Sequence, residues 1–216
     1  MGKLTGYFQK IGWKRVIVMI IGNIFLGMGI SIFKFAGLGN DPYSGMMMGL
    51  SDLTGITYAP FQVMANFLIF LLEIAFGREL IGIGTIINAC FLGYIVTFFY
   101  EVWVHLFTLP EALAVQILSM LIGTVIIGFG ISMYQVPNAG VSPYDSLSVI
   151  LAKRMPKIGY FWCRIFTDAI CAIICFLSGG IIGLGTLVSA FGLGPGINFF
   201  NKHFTRKLFR EGEDIL

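Results

Sequence analysis

Long apolar stretches alternate with brief polar breaks along this chain, and the breaks recur in order. Residues 15–36, 58–77, 80–100, 112–134, 159–177 and 181–200 are each apolar over nearly the length needed to cross a bilayer, about 20 residues. The pattern predicts six transmembrane helices. Two breaks are more than turns. Gly39-Asn40-Asp41-Pro42-Tyr43-Ser44-Gly45 returns as Gly140-Val141-Ser142-Pro143-Tyr144-Asp145-Ser146. Each copy reads as a helix start. Asp41 and Ser142 are N-cap residue types, and proline follows at the first helical position, where its missing N–H costs nothing. The helix expected from Pro42 to about Leu53 rises roughly 18 Å, half a bilayer. A re-entrant half-helix and a short interfacial helix both fit that length.

The breaks belong to an internal duplication. Gly29-Ile30-Ser31 matches Gly130-Ile131-Ser132, Pro42-Tyr43 matches Pro143-Tyr144, and Ile81-Gly82-Ile83-Gly84-Thr85 matches Ile182-Gly183-Leu184-Gly185-Thr186, all at an offset of 101 residues. Between the last two pairs one residue is inserted, which places Gln62 opposite Arg164 and Asn66 opposite Asp168. Asn88 falls opposite Ser189. Apolar segments align leucine with isoleucine by chance, but not Gly, Pro, Tyr, Thr and in-span polar residues in order. Repeat 1 covers about residues 15–100, a linker 101–111, and repeat 2 about 112–201, in one membrane domain over 1–216.

Charge decides between a parallel and an inverted arrangement. Cytoplasmic loops are rich in Lys and Arg. With three full spans per half and the N-terminus inside, the N-terminal Lys3, Lys10, Lys14 and Arg15, then Arg78, Lys153, Arg154, Lys157 and the tail Lys202, Arg206, Lys207 and Arg210 all fall inside. The linker, with Glu101 and Glu111 and no Lys or Arg, falls outside. Four crossings per half would put Arg78 outside and the linker inside. The expected fold is therefore all-α and polytopic: six transmembrane helices plus two re-entrant Pro-Tyr half-helices, as an inverted 3+3 repeat with both termini cytoplasmic.

Composition narrows the class further. The chain is 57% hydrophobic and 12% charged, with a mean hydropathy of +0.88. Soluble domains are about 25% charged. No small-residue cleavage site follows the first apolar run, so it reads as a span and not as a secretory signal. The net charge of +3 comes from the two ends, so no nucleic-acid partner is expected. Cys90, Cys163, Cys171 and Cys175 all lie in apolar runs and read as small hydrophobes. Nothing beside Cys171 and Cys175 completes a metal site, and His105 and His203 sit at span ends. Phosphate-loop, His-Glu-x-x-His and Gly-x-Ser-x-Gly motifs are absent. Neither an enzyme nor a bound cofactor or metal is expected.

Several motifs resemble a known family. Gly39-x-x-Pro42-Tyr43-Ser44, Gly55-Ile56-Thr57 and Gly82-x-Gly84-Thr85-x-x-Asn88 followed by Gly93 resemble the YczE/YyaS/YitT group of bacterial membrane proteins. So do Pro143-Tyr144-Asp145, Arg164-x-x-x-Asp168 and Gly183-x-Gly185-Thr186 in the second half. The likeness covers about residues 15–200. Ser44 departs from it, standing where the first motif usually has Asp, and Tyr stands where Trp is common. The resemblance implies an integral protein of the bacterial inner membrane. It implies a class and not a substrate.

The candidate chemistry is intramembrane. Arg164 and Asp168 lie one helical turn apart in a span, where charges are costly and usually paired or lining a cavity. They read either as a substrate or proton site or as a structural ion pair. Asp145 reads either as the acid of a Ser-x-x-Asp capping box on Ser142 or as a midplane carboxylate beside Tyr144. Asp41, Tyr43, Ser44, Asn138 and Ser142 would join them if the two half-helices meet. Gln62, Asn66 and Asn88 read as pore-lining groups or as interhelical hydrogen bonds. Glu73 reads as an interfacial partner of Arg78.

Two function classes fit. One is a small secondary transporter or channel for a small solute or ion, with its site at the midplane between the Pro-Tyr half-helices. The other is a non-transporting scaffold or regulatory subunit, or a substrate-binding subunit served by a separate ATPase. Its Gly-rich faces would accept a second copy or another membrane protein. The lipid bilayer is a partner in both.

Overall fold

The structure, a computed structural model, describes residues 12–109 and 111–210. Lys3, Lys10 and Pro110 lie outside the described residues. The described residues fold into helices and their connections: α1 (Trp13–Ala36), α2 (Pro42–Thr54), α3 (Tyr58–Phe76), a 3-10 turn (Arg78–Leu80), α4 (Ile83–Leu106), α5 (Leu113–Gln135), α6 (Pro143–Arg154), α7 (Gly159–Leu177), α8 (Leu184–Phe200), a π turn (Asn201–Thr205) and α9 (Arg206–Arg210). Five of these, α1, α3, α4, α5 and α7, are long and apolar enough to cross a membrane. The protein is polytopic. The sixth expected span forms α8, which has 17 residues and holds Pro195 inside it. Its axis continues through the π turn into α9. The helix expected to end at residue 100 runs on to Leu106. Glu101 and Trp103 are compatible with helix, and the Trp103 indole donates to Ser31 Oγ at 2.9 Å.

The centre of the fold is the contact between α1 and α5. Each helix carries glycines where the other approaches. A Cβ on Gly22 would lie 2.6 Å from Tyr134 N, and one on Gly29 would lie 2.5 Å from Ile127 Cγ1. A Cβ on Gly130 would lie 2.5 Å from Leu26 N. The contacts climb α1 while they descend α5, so the two helices are antiparallel. Small residues drive such packing in lipid because they let backbones approach.

The two halves then exchange backbone. Gly84 N donates to Ala139 O at 2.8 Å, and Gly185 N donates to Leu38 O at 2.9 Å. These two bonds connect equivalent positions in opposite senses. A Cβ on Gly82 would sit 2.1 Å from Ala139 O, and a Cβ on Gly183 would sit 2.4 Å from Leu38 O. Only glycine fits at either crossing. Gly39 and Gly140 supply the opposing strands with φ of 96° and 118°, a region that favours glycine. Thr85 Oγ1 accepts from Gly82 N at 3.1 Å, and Thr186 Oγ1 accepts from Gly183 N at 3.4 Å. The Gly-x-Gly-Thr motif is thus a crossing point with its own cap.

The short helices α2 and α6 start where the halves cross and run to opposite ends of the bundle. α2 packs on α7, with a Cβ on Gly49 falling 2.4 Å from Ser178 Oγ. α6 packs on α3 and α7 and ends beside Phe76, whose ring lies 4.2 Å from the Arg154 guanidinium. At that end Lys153 pairs with Glu79 at 2.6 Å, and Lys14 Nζ donates to Leu208 O at 2.6 Å. The Lys153 ammonium holds the exposed Glu79 carboxyl below its ordinary pKa. At the other end Lys34 lies over the Tyr100 ring at 4.2 Å.

A leucine at Gly130 has no room, and overpacking costs about 1–3 kcal/mol or more. Gly130→Leu should lower the thermal unfolding temperature in detergent. Gly196 lies inside α8 with nothing within 4 Å of its Cβ position beyond its chain neighbours. Gly196→Ala should leave that temperature unchanged or raise it, since alanine gains up to about 1 kcal/mol in a helix.

Candidate functional site

The two Pro-Tyr helix starts meet at the centre. Tyr43 and Tyr144 stack with ring centroids 4.4 Å apart and planes 11° from parallel. Each hydroxyl donates into its own half: Tyr43 to Asn66 Oδ1 at 2.6 Å, and Tyr144 to Asp168 Oδ1. Asn66 and Asp168 are the positions that the repeat sets opposite each other. Each helix also caps itself. Asp41 Oδ1 accepts from Ser44 N at 3.0 Å, and Ser142 Oγ accepts from Asp145 N at 3.2 Å.

The halves differ in charge. In the second half Arg164 Nη1 pairs with Asp145 Oδ1, its Nε lies 3.4 Å from Asp168 Oδ1, and its guanidinium lies 4.6 Å from the Tyr144 ring centroid. Gln135 Nε2 adds a bond to Asp145 Oδ2 at 3.4 Å. Asp145 therefore does not close a capping box: Ser142 caps, while the carboxylate turns to Arg164. In the first half the equivalents of Asp145 and Arg164 are Ser44 and Gln62, both neutral. The first-half carboxylate at this site is Asp41, whose Oδ2 is buried without a hydrogen-bond partner among the described residues.

A cavity of about 70 Å³ lies between these groups. That holds several waters or one small ion and is well below the size of a drug-sized site. Asp41, Tyr43, Ser44, Ser142, Tyr144, Asp145, Arg164, Asp168 and Asn88 line it. Apolar walls come from α1, α4, α5 and α8, including Leu26, Ile30, Leu92 and Ile131. The other three candidate positions lie elsewhere. Asn66 stands behind Tyr43, with its amide donating to Ala89 O at 3.2 Å. Gln62 is fully buried against Gly93, and neither its oxygen nor its nitrogen has a hydrogen-bond partner among the described residues. Asn138 is exposed in the turn after α5 with φ of 53°. That left-handed conformation suits asparagine and explains the residue without a ligand.

Three residues join the site that the sequence reading did not single out. Tyr134 lines the cavity and donates to Ser142 Oγ at 3.5 Å. Gln135 reaches Asp145. Asn23, a polar residue in mid-span, accepts from Asn88 Nδ2 at 2.7 Å and fixes that side chain in the wall. Its signal was visible in the sequence as an amide inside an apolar run. Among the described residues no group of three or more His, Cys, Asp or Glu could hold a metal ion.

Residues 13–202 match the family described as "Family of unknown function (DUF6198)". An "Uncharacterized protein" of Haemophilus influenzae is 25% identical over 191 residues, covering 87% of this chain and 84% of that one. "Uncharacterized protein YyaS" of Bacillus subtilis is 25% identical, covering 78% of this chain and 83% of its own. "Uncharacterized membrane protein YczE" of the same organism is 27% identical, covering 78% and 77%. No solved structure matches.

Removing Arg164 leaves Asp145 and Asp168 on the cavity wall without their counter-charge. Breaking such a pair costs on the order of 3 kcal/mol. Arg164→Ala should lower the thermal midpoint in detergent, and Arg164→Ala with Asp145→Ala should lower it by less than the two single changes together. Strict additivity would mean that the two charges do not interact.

Proposed function

The chain belongs to the YczE/YyaS family of bacterial membrane proteins, and within it we propose that this member is a small secondary transporter or channel. Its solute is a small cation or a cationic group, held at the midplane between α2 and α6. One observation carries this reading: a cavity lined by charged and polar side chains, with apolar walls, at the point where the two helix starts meet. Polar groups and irregular backbone at membrane depth are tolerated where they line a cavity or bind an ion. A scaffold needs no such space.

The sign of the ligand follows from the donors and acceptors. Helix N-termini favour anions through unpaired N–H groups. Here proline removes one N–H from each helix, and the caps consume Ser44 N and Asp145 N. The one guanidinium is already shared by two carboxylates. Three aspartates face one arginine, and Asp41 Oδ2 is an acceptor without a donor. That balance suits a cation.

The topology we propose is six spans and two half-helices, as an inverted 3+3 repeat in the inner membrane with both termini cytoplasmic. The antiparallel packing of α1 on α5 supports it, because these helices are equivalent in the two repeats. So does the Lys153–Glu79 pair. Four crossings per half would hold those two residues on opposite sides of the bilayer. The end that carries this pair also carries Lys14, Arg78 and Arg154, as a cytoplasmic face should.

The transport reading is tested by reconstituting purified protein in anionic vesicles and measuring monovalent-cation and proton flux under a fixed membrane potential. Wild type should conduct above empty vesicles. Asp41→Asn should lose most of that flux, about tenfold if one charge contact worth near 1.4 kcal/mol is removed. A protein that moves no ion or solute, but copurifies with a stoichiometric membrane partner, would be a scaffold. Topology is tested separately in a cysteine-free background. Cysteines at Glu79 and Lys153 should label from the cytoplasm, and one at Leu109 from outside. Cytoplasmic labelling at Leu109 would contradict the inverted arrangement.

A further inference from the structure

Glu73 is a fully buried carboxylate that the central site does not use. Sequence spacing pairs it with Arg78, five residues on, but the structure does not. Arg78 Nε donates to Ile74 O at 2.8 Å, and Glu73 is fully buried with no hydrogen-bond partner on either carboxyl oxygen among the described residues. It lies on the same face of α3 as Gln62 and Asn66. The groove opposite is the first turns of α6, where the Ser146 hydroxyl is its polar neighbour. Ser146 follows Asp145, which lines the cavity. One turn beyond Glu73, Gly77 packs on Ile150 of α6, and the basic end of the bundle begins there.

We propose that Glu73 is a proton-binding site, placed between the central cavity and the basic end of the protein. The inference rests on the transport reading for its role in a cycle, but not for its chemistry. An ionised carboxylate buried without a hydrogen-bond donor or a counter-charge from the protein costs far more than the same group with its proton. The charged groups around it are already committed. From α6, Asp145 pairs with Arg164, Lys153 pairs with Glu79, and Arg154 lies over Phe76. From the turn after α3, Arg78 bonds to backbone. The start of α4 (Ile83, Gly84, Thr85) brings no titratable group. Glu73 therefore carries its own proton. Losing it breaks only the O–H bond, and the proton passes to water reaching the interface from the basic end. Proton loss and wetting of the α3–α6 interface are thereby linked.

The repeat makes the site one-sided. The position opposite Glu73 is Cys175, and the position opposite Ser146 is Gly45. There the sulfur of Cys175 lies 3.2 Å from where a Gly45 Cβ would stand. A thiol against a glycine closes the same crossing without a carboxyl. A proton held at Glu73 can modulate access from one end only.

The test reads the proton directly in full-length protein. Infrared spectra at neutral pH should show a protonated-carboxyl C=O band that disappears in Glu73→Gln, and dicyclohexylcarbodiimide should modify Glu73 in wild type, with yield falling as pH rises. Glutamine mimics the neutral acid, so this variant should fold with an unchanged thermal midpoint. In anionic vesicles filled with a pH dye, proton flux should fall to the empty-vesicle rate in Glu73→Gln and recover in part in Glu73→Asp. Identical carboxyl bands in wild type and Glu73→Gln, or no carbodiimide adduct at Glu73 even in acid, would overturn the proposal. Equal proton flux in wild type and Glu73→Gln would overturn its role on the path. A band present without any wild-type flux would uphold the proton site and end the transport reading instead.

Discussion

A backbone amide buried in hydrocarbon must find a partner, and three among the described residues find it in the other half of the chain: Val141 N donates to Leu80 O at 3.0 Å, and two glycine amides form a matched pair. Gly84 donates to Ala139 O, and Gly185 donates to Leu38 O. Each bond closes one end of an extended segment that could not otherwise sit at membrane depth. The segment from Leu38 to Asp41 is held by Gly183 to Thr186, and the segment from Ala139 to Ser142 is held by Gly82 to Thr85. Those segments place α2 and α6, and those helices place the site. Remove the glycines and the halves cannot approach, because a Cβ at Gly82 or Gly183 would overlap a carbonyl oxygen.

Reciprocal contact produces a symmetric frame, and substitutions within the frame make it functional. The two tyrosines stack face to face where the halves meet, and each hydroxyl is anchored to its own long helix, at Asn66 or Asp168. The charges do not follow the symmetry. Arg164, Asp145 and Asp168 form a closed network in one half. Asp41 stands with a free oxygen in the other. Glu73 on α3 and Cys175 on α7 repeat the contrast nearer the two ends. A symmetric frame with asymmetric charge presents different groups to the two faces.

Much of this was legible in the sequence, because duplication writes itself as matched Gly, Pro and Tyr. The Pro-Tyr starts, their caps and the crossing motif are all local features, fixed by residues that admit few conformations. What was not legible was long-range. The capping-box spacing of Ser142 and Asp145 does not reveal that Arg164, on another helix, takes the carboxylate. A spacing of five residues from Glu73 to Arg78 suggests a pair, yet the chain turns at Gly77 and the arginine bonds to Ile74 O. Asn138 is polar and lies between the α5 helix and the second Pro-Tyr start, but a turn claims it. The apolar pattern ends α4 six residues before Leu106, since acid and tryptophan at an interface look like a linker, whereas Trp103 packs back on Ser31.

The cavity between the helix starts gives the protein a reason to keep charges in the bilayer. Cysteine accessibility at Ser44, in a protein whose four native cysteines are replaced, measures whether that cavity meets water and what sign of charge it accepts. A positively charged methanethiosulfonate should modify Ser44→Cys, and a negatively charged one of similar size should react far more slowly. No modification by either reagent, or faster reaction with the anion, would contradict a water-reachable cation site at the centre of the fold.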